Sequence, residues 1–280
     1  MQIPRYLGIC PCLLLLLCIF LVFKVVQYAV LASISSLSAP SPAPPSTATS
    51  ATTMMMNGME ATEIQVDGYK AHAKVLKVNV NGNVVVVLLH GQAFKSDVWF
   101  ELNIPADLAA RTTKGRINKV VAVDLPGFGL SPPGPPRIEE GKALFLEQLV
   151  REIIRNVKNP VVVVVAPSMS GLYALPFIRA YESCKRCRQD FALKAVLVAP
   201  VGAASFAKDG GGSTIRSVET LLVWGGADKV LPASLAAEIA RGFAAESVAT
   251  AVIPNAPHPC YLQPNTDAFV SLLADFIAKQ

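Results

Sequence analysis

Val161-Val-Val-Val-Val165-Ala166-Pro167-Ser168-Met169-Ser170-Gly171 joins an unbroken apolar run to the start of a helical pattern, Leu172 to Tyr181. Five consecutive valines show no polar alternation, so the strand they form is buried on both faces, as inside a parallel sheet. A serine placed between such a strand and a helix sits on a sharp reversal that pushes its hydroxyl outward. That reversal forces the residues two before and two after the serine into contact, so both must be small. With Ser168 at the apex they are Ala166 and Ser170, which fit; with Ser170 at the apex they are Ser168 and Leu172, and Leu172 would clash. The register is Ser168. The bland alternative for either serine is a helix N-cap.

Outward from this stretch the same alternation recurs. Ile64–Val66 and Tyr69–Val78 flank Asp67-Gly68, a hairpin signal. Val84–Leu89, Lys119–Asp124, Ala195–Ala199, Leu221–Trp224 and Ser247–Ile253 read as further strands. Leu146, Val150, Ile153, Ile154 and Val157 recur at helical spacing, as do Phe269, Leu272, Leu273, Phe276 and Ile277. Apolar strands separated by amphipathic helices predict an α/β fold, a mostly parallel sheet flanked by helices on both faces. Chemistry in such sheets sits at the carboxyl ends of the strands.

The front of the 280-residue chain is different. Leu7 to Phe23 contains no charge, and Val25 to Ala32 follows Lys24 with Gln27 its one polar side chain. An apolar helix of about 20 residues crosses a bilayer, and a single Lys can snorkel to the headgroups. Residues 1–32 are therefore expected to be an N-terminal transmembrane signal-anchor contacting the membrane through residues 7–32. A cleaved secretory signal is the alternative. Arg5 and the amino terminus oppose Lys24 and give a slight bias to a cytoplasmic N-terminus, hence a single-pass type II protein with its domain lumenal or extracellular. A cytoplasmic or a secreted domain is the competing placement. Residues 33–59, rich in Ser, Ala, Pro and Thr, read as a flexible linker, and 60–280 as the folded domain.

Charge and cysteine content remove other classes. The net charge is +5, of which Arg5 and Lys24 supply two units, and the remainder is scattered, so nucleic acid is not an expected partner. Six cysteines, three of them (Cys10, Cys12, Cys18) in the apolar front, do not make a disulfide framework. Cys184-Lys-Arg-Cys187 lacks the second ligand pair that zinc needs, and no metal or other cofactor is expected. It falls late in a helical pattern or just past its end rather than after a strand, unlike a redox motif, and reads as coincidence. A surface disulfide stays open if the domain is lumenal. Cys260 reads as a packing residue.

The residues that could join Ser168 in chemistry are spread along the chain. Of three histidines, His72 and His90 precede Ser168; His258 lies in Pro254-Asn-Ala-Pro-His-Pro-Cys-Tyr-Leu262, after the last predicted strand. Imidazole titrates near neutrality and suits a general base. In the chain order of serine, acid and histidine that goes with such a serine turn, the acid partner follows a strand between Ser168 and His258, and Leu221-Leu-Val-Trp-Gly-Gly-Ala-Asp228 supplies one. Asp190 precedes a strand and Asp209 lies in a glycine run, so both are worse placed. After the strand ending Leu88-Leu89-His90-Gly91-Gln92, the Gln92 amide can face an oxyanion together with the amide of Met169. His90 is read as structural, tying this loop by hydrogen bonds. The interval Val201–Val218 is too short for a large helical lid, so minimal or no lid is expected.

In this order, His90-Gly91, Asp124-Leu-Pro-Gly-Phe-Gly-Leu-Ser131, the Ser168 turn, Gly225-Gly-Ala-Asp228 and the His258 loop resemble an α/β-hydrolase-fold serine hydrolase. Ala166–Phe177 and His258-Pro-Cys-Tyr-Leu262 resemble, more narrowly, abhydrolase-domain-containing subfamily 14, including its membrane-anchored A branch. The resemblance implies a Ser168–Asp228–His258 triad acting on small acyl esters or acylated lysine, hence a small-molecule acyl substrate or an acylated protein side chain as partner. Ala166 and Ser170 depart from the glycines of the wider family. A catalytically silent, membrane-tethered interaction module is the alternative function.

Overall fold

The computed structural model describes residues 59–112, 115–134, 139–208 and 214–279. The expected anchor and almost all of the expected linker lie outside these residues; the sheet begins at Met59, the last residue assigned to the linker. No helix among the described residues is long and apolar enough to cross a membrane.

The hairpin forms as its turn signal requires. β1 (Met59–Val66) pairs antiparallel with β2 (Tyr69–Lys77), Val66 facing Tyr69 across Asp67-Gly68, both of which take positive φ. Five all-apolar or nearly apolar segments then build the sheet interior: β3 (Val84–Leu88), β4 (Ile117–Val123), β5 (Val161–Pro167), β6 (Ala192–Val198) and β7 (Val218–Gly225). β8 (Val248–Ile253) completes it. The strand order is β1-β2-β4-β3-β5-β6-β7-β8, antiparallel as far as β2–β4 and parallel from β4 onward. The reading of a mostly parallel sheet holds, with the hairpin as its antiparallel edge.

Successive strand residues point to opposite faces, and two separate cores result. One takes Val85, Val87, Val162, Val164 and Leu197 against α3 (Glu139–Ile154) and α4 (Gly171–Ser183). The other takes Val84, Val86, Val163, Val165 and Val198 against α1 (Asp97–Glu101), α2 (Ile104–Arg111) and α8 (Thr266–Ala278). Three more short helices, α5 (Lys185–Asp190), α6 (Ala203–Lys208) and α7 (Leu235–Ala240), sit in the connections. Between β6 and β7 the described residues hold one short helix, α6, and no large lid.

Trp99 on α1 links the two halves of the second core. Its side chain is fully buried, its indole N–H donates to the Leu89 carbonyl at 3.0 Å, and its ring stacks on Tyr261 with centroids 4.6 Å apart. It thereby connects the loop after β3 to the segment just beyond His258. Trp99→Ala should cost about 3–5 kcal/mol, read in urea as a lower midpoint with an unchanged slope.

Candidate active site

β5 ends at Pro167, and Ser168 reverses the chain with φ +50°, a value an L-residue adopts only when its surroundings hold it there. A 3₁₀ turn, Ser168–Ser170, leads directly into α4. The Ser168 carbonyl accepts from the Val201 amide at 2.8 Å, which ties the turn to the chain leaving β6. Neither serine caps the helix through its side chain. Ser170, fully buried, donates instead to the Pro167 carbonyl at 2.8 Å. Gly171 has a role the sequence reading missed. A Cβ there would lie 2.6 Å from both the Pro200 Cβ and the Val201 carbonyl oxygen, so α4 can start against this loop only with glycine.

Asp228 and His258 reach Ser168 from two turns that are bonded to each other. The Gly226 amide donates to the Ile253 carbonyl at 2.9 Å, and the Ala227 amide to the Ala256 carbonyl at 3.0 Å. A Cβ on Gly225 would fall 2.3 Å from the Ala256 oxygen, so this contact also demands glycine. Oδ1 of Asp228 accepts the amides of Val230 and Leu231, each at 2.8 Å, which orients the carboxylate and leaves Oδ2 for His258. Oδ2 lies 2.8 Å from Nδ1 of His258, and Nε2 lies 3.0 Å from Oγ of Ser168. A carboxylate can only accept, so Nδ1 carries the proton and Nε2 is left as acceptor for the serine hydroxyl. The Asp228 side chain is 1% exposed and that of His258 11%. The structure thus brings together the three residues singled out from the sequence. Asp190 instead binds Arg151 at 2.7 Å, and Asp209 lies outside the described residues.

The loop after β3 runs alongside. A Cβ on Gly91 would be 3.7 Å from Cβ of Ser168, which brings the segment carrying Gln92 up to the serine; Met169 follows Ser168 in the 3₁₀ turn. Two buried groups hold this loop. His90 donates from Nδ1 to the Gly91 carbonyl at 2.9 Å and accepts at Nε2 from the Leu125 amide at 3.0 Å. Burial lowers its pKa, against the pull of the Gly91 carbonyl and the Asp124 charge, and keeps the imidazole neutral. The structural reading of His90 stands.

Asp124, quoted above only as part of a motif, is the second group. Its carboxylate accepts from the Ser96 amide at 2.7 Å, the Leu130 amide at 2.9 Å and Nδ1 of His72 at 3.0 Å, bridging three segments. Burial alone would raise this carboxyl; the donated amides and the imidazole outweigh it and hold the pKa below the usual range. A buried acid at a strand end, followed by glycines, was the available signal.

Two cysteine readings are resolved. Cys260 is buried, and burial pushes its thiol up to about 12, which suits packing and not nucleophilic attack. Cys184 and Cys187 are joined by a disulfide, so the reading as coincidence is corrected. The helical pattern ends at Ser183 and a new short helix begins at Lys185, and this break brings the two Cα atoms to 5.2 Å. No cluster of ligating side chains fit for a metal occurs among the described residues.

A family profile described as "Alpha/beta hydrolase family" matches residues 86–218. The human protein ABHD14A is 34% identical over 205 residues, covering 72% of this chain and 68% of its own. The chain belongs to the ABHD14 family of α/β-hydrolases. A second ABHD14 relative, the rat protein named "Putative protein-lysine deacylase ABHD14B", is 30% identical over 202 residues, 71% of this chain and 87% of its own. A hydrolase of Thermoplasma acidophilum described as CIB-like shares the fold, with a TM-score of 0.63 at 24% identity, over 79% of this chain and 98% of that one.

The neutral, buried His90 makes stability depend on pH. Its folded pKa lies below the unfolded value of about 6.5. The contribution is therefore complete above about pH 6.5 and shrinks as the pH falls and the unfolded chain takes up the proton. Between about pH 7 and about pH 5, the Tm of the wild type should fall more than that of His90→Gln, as measured by calorimetry.

Proposed function

We propose that this ABHD14-family chain is a serine acyl hydrolase with a Ser168–Asp228–His258 triad. The observation that carries the reading is the continuous hydrogen-bond chain from Asp228 through His258 to Ser168, at 2.8 and 3.0 Å. His258 takes the serine proton as Oγ attacks the acyl carbon, and Asp228 holds the imidazole tautomer and stabilises the imidazolium. The amides of Gln92 and Met169 receive the developing oxyanion. His258 then returns the proton to the leaving alcohol or amine, and water, activated by the same imidazole, releases the acyl group.

The substrate class follows from the cover over the site. Between β6 and β7 the described residues hold one short helix, and so short a cover supports short acyl groups on a bulky carrier over long lipid chains. Short-chain acyl esters or acylated amines fit this, acyl-lysine among them; the name carried by the ABHD14B relatives supports the amine. Residues 7–32 anchor the chain in the membrane, with the domain on the lumenal or extracellular side. The length of that apolar stretch supports the anchor, and the charge of Arg5 with the amino terminus against Lys24 supports the orientation.

A fluorophosphonate probe should label the wild type and leave Ser168→Ala unlabelled, and Asp228→Asn should lower kcat by about 10⁴. Folded but unlabelled wild-type protein would favour the silent interaction module. A preference for long-chain over butyryl esters would overturn the substrate class.

In cells, the full chain should stay with membranes after an alkaline carbonate wash, and its domain should resist protease until the vesicles are opened. Release by the wash would refute the anchor.

A further inference from the structure

The second reactive element on this molecule lies at the other end of α4. That helix begins three residues after Ser168 and ends at Ser183, a rise of about 20 Å, so the Cys184–Cys187 bond shares no pocket with the serine. Its ring closes across a sequence separation of three. So short a loop restrains the unfolded chain least of all, which makes the bond a poor structural staple.

Its two sulfurs differ in access and in surroundings. Cys184 is half-buried against the core, between the ends of two helices; Cys187 is 1% exposed. Nη2 of Arg151 lies 3.3 Å from Sγ of Cys187. Arg151 is itself fixed there by Glu147 at 2.9 Å and Asp190 at 2.7 Å. The Glu147 carboxylate lies 3.5 Å from the same sulfur, and the guanidinium is bonded to it. Sγ of Cys184 meets a different donor, the Cys187 amide at 3.1 Å. Lys185 and Arg186, between the cysteines, are both exposed to solvent.

We infer that Cys184–Cys187 is a redox-active disulfide that exchanges with a low-molecular-weight, anionic thiol. The thiolate attacks Sγ of Cys184, the less buried of the two cysteines, forming a mixed disulfide there and expelling Cys187 as a thiolate beside Arg151. A good leaving thiolate speeds exchange, and an adjacent guanidinium stabilises one. A second thiolate attacks the mixed disulfide at its own sulfur, releasing the small disulfide and leaving Cys184 as a thiolate that the Cys187 amide can bond. Two thiols are oxidised and the protein gains two electrons. The basic pair Lys185 and Arg186 favours an anionic reductant.

Glutathione is a suitable probe. The full-length protein in detergent would be equilibrated in buffers of graded reduced-to-oxidised glutathione, trapped with a maleimide and mapped by peptide mass. Cys184 and Cys187 should open and close together and reversibly, with far-UV dichroism unchanged. In Cys187→Ser the glutathione adduct should sit on Cys184, and in Cys184→Ser none should form on Cys187. Arg151→Gln should slow opening about tenfold near pH 7, and Arg151→Lys should restore most of the rate. Opening only in denaturant would make the bond a structural staple and overturn the inference. So would two free thiols that oxidised glutathione fails to join, or an unchanged rate in Arg151→Gln, which needs no cysteine variant to fold.

Discussion

A single backbone torsion carries the organisation of this domain: Ser168 at φ +50°. A non-glycine residue in that region costs on the order of 1–3 kcal/mol, so the surroundings must over-determine it. They do so from both sides. Before the serine, β5 is paired along its length, to β3 from Val161 and to β6 as far as Pro167 opposite Val198. After it, α4 is pressed against Pro200 and Val201, close enough that only Gly171 fits, and Val201 bonds the serine's own carbonyl. The torsion points Oγ away from the sheet toward His258, and any relaxation would withdraw it.

The partners of Ser168 are held by the same economy of backbone contacts. Gly225 lets the turn after β7 touch the chain after β8, and the two amides at positions 226 and 227 fasten it there. Asp228 and His258, separated by 30 residues of sequence, are thus placed by one bonded unit. On the other side, Asp124 and His90 brace the loop that carries Gln92 with groups that are buried and fully engaged. Rigid elements under a short constellation of side chains are what pre-organisation requires, because misplacement of an ångström costs orders of magnitude in rate.

Much of this was legible because burial on both faces writes itself directly into sequence. The valine runs of β3 and β5 have no alternation to misread, and the long helices α3 and α8 repeat their apolar residues over several turns. Ser168, Asp228 and His258 followed from chain order and strand ends. The helices α1, α2, α6 and α7 were not read, since eight residues or fewer give too few turns for periodicity to speak. The brace around Asp124 was hidden for a different reason: its partners Ser96, Leu130 and His72 lie on three segments that only the folded sheet brings together. The cysteine pair was misjudged because the end of α4 could not be placed to the residue, and a disulfide across three residues depends on that break.

The departure from the glycine-flanked serine pattern now has a physical account. Glycines at the flanking positions serve to remove side chains from a crowded reversal. Here Ala166 is fully buried with a single methyl, and Ser170 does more than stay small: its buried hydroxyl finds a partner in the Pro167 carbonyl at the end of β5, at 2.8 Å. The close approach that would exclude any Cβ has moved one residue along, to Gly171, where α4 meets Pro200 and Val201. Ala-Pro-Ser-Met-Ser-Gly therefore meets the steric demand of the reversal with a different set of small residues, and the Ser170 hydroxyl adds a hydrogen bond that glycine could not.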